Sequence, residues 1–105
     1  MTVFPVSDGT IESITCEHEN LFVEFLDWQE QLWMVTFHNV LAFKAIGAVG
    51  CEVSEMYEED VTSLSEEVRA LDASEVGTSY CFASARDNNV ILTIVASGYV
   101  AEKCP

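Results

Sequence analysis

A thiol and an imidazole stand two residues apart in Cys16-Glu17-His18, the groups that a nucleophilic cysteine and its general base would supply. The run ends a segment predicted to be a strand, in which residues i and i+2 share one face. Activation of such a thiol requires an electropositive setting, but the surrounding sequence is acidic. It also supplies no third orienting group or oxyanion donor. We therefore predict structural roles for Cys16 and His18, no catalytic residues and no enzymatic activity.

Metal binding requires ligands that converge on one point. His18 and His38 could meet Cys16 or Cys51, but no local spacing brings them together. An acidic cluster could hold a hard cation, yet it lacks the alternating Asp/Asn ligands and the central glycine of a calcium loop; its members are Glu55, Glu58, Glu59 and Asp60. We predict neither a metal site nor a cofactor.

The charge of the chain is its most unusual property. Eighteen acidic residues against four basic ones give a formal net charge of −14 over 105 residues. Half of the acids lie between Glu52 and Glu75, where Arg69 is the one basic residue. Such a field repels nucleotides and nucleic acids, and Gly47–Gly50 lacks the spacing and the lysine of a phosphate-binding loop. We expect no direct binding of nucleic acid.

Size and composition favour one domain over residues 1–105. Half of the residues are apolar, which separates the chain from disordered acidic tails. The apolar runs are too short to span a bilayer, and residues 1–8 lack the basic and apolar regions of a signal peptide. The expected location is the cytoplasm, with no membrane partner. The four cysteines form no C-x-x-C pair, and we expect free thiols.

Alternation of apolar and polar residues predicts several strands in the first half of the chain. The polar run at 29–31 predicts a hairpin turn, and His38-Asn39 predicts a bulge, a bend or a turn inside the long apolar stretch Leu32–Ala45. The predicted strands are Thr10–Glu17, Leu21–Trp28, and two or three more from Leu32 onward, the last of them near Val49–Tyr57.

One short helix is predicted between residues 58 and 75. Ser63 with Glu66 matches a capping box, and Leu64, Val68 and Leu71 recur as an amphipathic stripe that should dock on the sheet.

Two strands, Ser79–Arg86 and Val90–Tyr99, are predicted to form a C-terminal hairpin around Asp87-Asn88-Asn89. The expected fold is α+β and mostly antiparallel, with six to seven strands and the helix packed on the sheet.

The β-rich segments Leu21–Trp28, Trp33–Phe43 and Val90–Val100, in a small and strongly acidic chain, resemble bacterial immunity proteins. That resemblance implies a toxin partner, often a nuclease, held in an inhibitory one-to-one complex. Acidic phage inhibitors that imitate DNA have a similar charge profile.

The leading hypothesis is a non-enzymatic binding protein that neutralises a basic partner such as a toxin domain. The candidate contacts are the acids Glu52, Glu55, Glu58, Glu59, Asp60, Glu66, Glu67 and Asp72. One alternative is a self-associating domain that uses Trp28, Trp33 or Phe43, so monomer and homodimer both stay open. Another is a β domain that encloses a small ligand.

Overall fold

The computed structural model describes residues 4–105 as one antiparallel sheet with a single helix. The helix α1 spans Ser63–Leu71. The strands are β1 Gly9–Glu17, β2 Asn20–Leu26, β3 Leu32–His38, β4 Ala42–Ala45, β5 Glu52–Glu59, β6 Thr78–Ser84, β7 Val90–Ala96 and β8 Gly98–Lys103. The predicted class is confirmed, but the predicted number of strands, six to seven, is wrong because residues 4–105 form eight. The C-terminal hairpin is also confirmed: β6 and β7 pair around the turn at 87–89, and β8 continues from β7.

Two bent strands close the sheet into a barrel. The sheet order is β4-β7-β6-β5-β1-β2-β3-β8. The chain runs from β3 into β4 across residues 39–41, and from β7 into β8 across Ser97. Because β3 pairs with β8 while β4 pairs with β7, these two long strands pair along their whole length. Hydrogen bonds from Leu41 N to Val95 O and from Ser97 N to His38 O bridge the bends. The ring is completed by a short pairing of β1 with β5 at Gly9 and Thr10.

β-Bulges set which side chains face the barrel interior. In β1 the register shifts between Ile11 and Ser13, so that Ile11 is buried and Ile14, three residues later, also packs against the core. In β5 a shift between Val53 and Glu55 has the same effect on Val53 and Met56. A bulge adds one residue and therefore reverses the alternation of the strand.

Aromatic rings fill much of the interior. Phe37 lies 5.3 Å from Tyr80 and 5.5 Å from Tyr99, measured between ring centroids. Phe4 packs against Phe25 at 5.3 Å in an edge-to-face arrangement. Side chains thus occupy the space that a ligand inside the sheet would need, and nothing among residues 4–105 favours the enclosed-ligand alternative.

The turn between β2 and β3 is organised by Asp27. Its carboxylate accepts hydrogen bonds from the amides of Gln29 and Gln31 and from the indole Nε1 of Trp33, at 2.8–2.9 Å. β2 therefore ends at Leu26, and Trp28, predicted to end that strand, lies in the turn with 62% of its side chain exposed. Burial raises the pKa of Asp27, but the hydrogen bonds and the charge of Lys103 outweigh burial and hold the pKa below its usual value.

Within the described range, no helix is long and apolar enough to cross a membrane.

Gly9→Ala tests the tight packing where β1 meets β2. A Cβ at Gly9 would overlap the Phe25 ring and lie 2.9 Å from the Leu26 carbonyl oxygen. We expect a loss of about 2–3 kcal/mol in the free energy of unfolding by urea. Gly98→Ala is the matched control, since a Cβ there meets nothing within 4 Å. Equal stabilities of the two variants would contradict the close contact of Gly9 with Phe25 and Leu26.

Asp27→Asn tests the charged turn. A carboxylate whose pKa is lowered by folding stabilises the protein above about pH 4, and that contribution disappears as the pH falls through the lowered pKa. The variant should be less stable than the parent at pH 7, and the difference should narrow by pH 3 in urea unfolding. Glu30→Gln removes one carboxylate from the same turn and is the control for the change in net charge. A difference that is the same at both pH values would refute the role of the charge.

Candidate functional site

Helix α1 lies outside the barrel, over β4 and β7. Its N-cap is Thr62, whose hydroxyl accepts a hydrogen bond from the Ser65 amide, while the Ser65 hydroxyl accepts one from the Thr62 amide. The Thr62 hydroxyl also lies 2.9 Å from that of Ser79 on β6. The capping box predicted from Ser63 and Glu66 is therefore wrong by one residue, because the extended backbone that a cap requires falls at Thr62.

The stripe predicted to dock on the sheet does so only in part. Leu64 and Val68 are half-buried, whereas Leu71 is 91% exposed. The helix ends at Leu71 and the next residue, Asp72, adopts an extended conformation. Leu71 therefore lies on the last turn and is left almost fully in water.

A shallow apolar groove, which we call the α1 groove, runs between this helix and β4. Its volume is about 430 Å³. The apolar side chains that line it are Leu41, Ala42, Leu64, Val68 and Leu71. Its floor is fixed by the strand pairing, since Leu41 donates its amide to Val95 O at 2.8 Å. A second depression shares Leu41 with the groove and extends it toward Val40 and Val76, the latter 82% exposed.

Carboxylates rim the α1 groove and its extension. Glu67, Asp72 and Glu75 line the groove, and Glu19 joins Glu75 beside the second depression. No lysine or arginine belongs to either lining. Arg69 lines an adjoining depression with Asp60, and that depression shares Val68, Glu75 and Val76 with the α1 groove and its extension. Hydrogen bonds from the hydroxyl and amide of Ser74 lower the pKa of Asp72 and keep its charge in place.

The eight acids predicted as contacts are all exposed, but they do not all meet. Glu67 and Asp72 lie at the α1 groove. Glu55 and Glu59 lie near Tyr57 and Cys81, on the outer face of β5. The other four are distributed as follows: Glu58 near Tyr80 and Tyr99, Glu52 in a depression with Arg86, Asp60 after β5, and Glu66 on the first turn of α1.

The acidic field is visible in three tyrosines. Burial raises the pKa of Tyr80 and Tyr99, and the charge of Glu58 raises it further. The pKa of Tyr57 is raised by burial and, to a smaller extent, by Cys81, Glu59 and Glu55. A phenolate is disfavoured near carboxylates because like charges repel. Burial is the largest cause in all three tyrosines, and the carboxylates add to it.

The described part of the chain contains all four cysteines and both histidines. β1 ends at Glu17, and His18 lies in the following turn with φ of 56°, so the predicted shared strand face of Cys16 and His18 is wrong. All four cysteines are free. Burial and the charge of Glu59 raise the pKa of Cys81, which opposes thiolate formation. Residues 4–105 contain no group of three or more His, Cys, Asp or Glu side chains able to hold a metal ion.

Sequence reasoning missed several residues of the α1 groove. Glu75 is in the acidic segment but was not among the predicted contacts. Glu19 and Leu41 come from distant parts of the chain and join the site only because Val40 N donates to Glu19 O at 2.7 Å and the barrel closes. Val76 gave one local signal, an apolar residue outside any predicted element.

Thr62→Ala tests the anchoring of α1 beside the groove. Loss of the cap and of the contact to Ser79 should reduce the free energy of unfolding by about 1–2 kcal/mol. Ser63→Ala, at the residue predicted from sequence as the cap, should change it by less than about 0.5 kcal/mol. Urea unfolding of both variants measures the difference, and a larger loss for Ser63→Ala would show that the cap is misplaced.

Comparison with known proteins found no match to this chain among family models, curated proteins or solved structures.

Proposed function

We propose that this chain is a non-enzymatic binding protein whose acidic surface captures and neutralises a basic protein, in the manner of an immunity protein acting on a toxin domain such as a nuclease. The observation that carries the proposal is the exposure of all eight carboxylates predicted as contacts. Carboxylates that face water retain their long-range field and can steer a cationic partner.

The basic residues leave this field largely uncompensated. They are dispersed over four elements: Lys44 on β4, Arg69 on α1, Arg86 in the β6–β7 turn and Lys103 on β8. Lys103 lies over the Trp33 ring, 5.8 Å from its centroid. Side-chain hydrogen bonds within residues 4–105 engage the carboxylates of Glu24, Asp27, Asp72 and Asp87. Of the eight candidate contacts, this set includes Asp72 alone.

The same charge disfavours two other partner classes. A nucleic acid would meet like charge without the lysines and arginines that release counterions. A second copy of the chain would bring another net charge of −14 against the first. The homodimer alternative named Trp28, Trp33 and Phe43; Trp28 and Phe43 are exposed, but Trp33 is half-buried and donates its indole N–H to Asp27.

The identity of the partner can be tested by affinity capture. The tagged protein, incubated with lysate of its native cells at low salt, should retain one basic polypeptide in one-to-one ratio and release it at high salt. Co-expression should then suppress the activity or toxicity of that polypeptide. If the polypeptide binds but its activity is not suppressed, the chain is a binding protein without the immunity role. If the partner is acidic, or if no partner is captured, the proposal is refuted.

Glu59, Glu66 and Glu67, changed together to lysine, should slow association with the captured polypeptide about tenfold or more at low salt, measured by stopped-flow fluorescence. The effect should shrink as salt screens the charges. The control is the triple variant at the exposed residues Glu12, Glu17 and Glu102, which changes net charge equally away from α1. Equal slowing by both variants would show a diffuse field and not a surface around α1.

A further inference from the structure

The two most exposed large apolar side chains among the described residues line two adjoining depressions. Leu71 is 91% exposed and Val76 82% exposed. Leu71 lines the α1 groove, and Val76 lines the depression that extends it through Leu41 and Glu75. Apolar surface left in water beside a preformed groove is typical of an interaction site.

We propose that the α1 groove receives a short amphipathic helix of a partner protein, with apolar anchors in the groove and lysines or arginines on its flanks. This inference rests on the proposed function and specifies the part of the partner that makes contact. Four acids, Glu19, Glu67, Asp72 and Glu75, line the groove and its extension, and Arg69 is the one cation in the depression that adjoins them at Glu75 and Val76. This excess of negative charge favours a basic helix.

The geometry of α1 favours a helical occupant. Leu64, Val68 and Leu71 form a stripe at i, i+4 and i+7 along nine residues of helix. Leu64 and Val68 are only half-buried against the sheet, and both line the groove. A second helix laid along α1 would insert its own i, i+3/i+4 and i+7 side chains between these positions.

The negative charge around the α1 groove disfavours the binding of α1 from a second copy of this chain. A second copy of α1 would bring Glu66 and Glu67 toward Glu67, Asp72 and Glu75 of the first copy. Like charges at such an interface oppose docking. A basic helix would instead be attracted to these carboxylates.

The test uses two synthetic peptides of about 14 residues, a length at which helices in water are marginal and fold on docking. One has leucines on a single helical face and lysines elsewhere; the other has the same composition in scrambled order. In ¹⁵N-labelled protein, the first peptide should shift the amide signals of Leu41, Leu64, Val68, Leu71 and Val76. Leu71→Ser and Val76→Ser should each weaken the affinity for the first peptide about tenfold. Both sites are exposed, so both variants should retain the parent spectrum elsewhere.

Val49→Ser is the matched control, because Val49 is 60% exposed and lies outside both depressions. It should leave the affinity unchanged. Equal affinity for the two peptides, or an unchanged affinity in Leu71→Ser, would refute the proposal that the α1 groove binds a helix. Neither result would refute the electrostatic capture of a basic protein. Absence of binding by either peptide would also refute the proposal for the α1 groove. Concentration-dependent shifts at the same amides without peptide, with a dimer in sedimentation, would assign the groove to a second copy.

Discussion

The barrel depends on two bends that are paired with each other. At one, Asn39 has φ of 52°; at the other, Ser97 interrupts the strand that becomes β8. Ser97 donates its amide and its hydroxyl to His38 O, at 2.9 and 3.0 Å, and its hydroxyl accepts from the Asn39 side chain at 3.1 Å. Both long strands therefore turn together and remain hydrogen-bonded through the turn. Because Asn39 and Ser97 also line the extension of the α1 groove, the interaction that closes the barrel shapes the candidate site as well.

The strong negative charge is compatible with this fold because closure separates it from the core. The interior holds aromatic and aliphatic side chains, and all the acidic residues except Glu24 and Asp27 are exposed, where water screens their mutual repulsion. Closure also removes most strand edges. β1 pairs with β5 at two residues only, and beyond them its free edge carries Glu12 and Glu17. Charges on a free edge oppose pairing with another chain.

The sequence patterns predicted strands well where no bulge occurs. In β2, Leu21, Val23 and Phe25 alternate with half-exposed residues as predicted, and Val35 and Phe37 do the same in β3. In β1 and β5 the bulges reverse the alternation, so Ile11 and Ile14 share the core although their spacing places them on opposite faces. The interruption at Asn39 was predicted, whereas the break at Ser97 divides the predicted strand Val90–Tyr99 into β7 and β8 and explains the eighth strand. Glu67 and Asp72 could be predicted at a charged surface, but Glu19 and Leu41 reach it through long-range pairing that local periodicity does not contain.

The short helix links stability to recognition. A nine-residue helix is marginal by itself, and α1 is held at its start by Thr62 and Ser79 and along one side by the sheet. Its last turn lacks such support, since Leu71 faces water. A partner that covers Leu71 would contact the folded helix and not the unfolded chain. It would therefore stabilise the element that binds it, by the linkage that makes any ligand of the native state stabilising. Under the proposed function, the exposure of Leu71 would leave part of the stabilisation of α1 to such a partner.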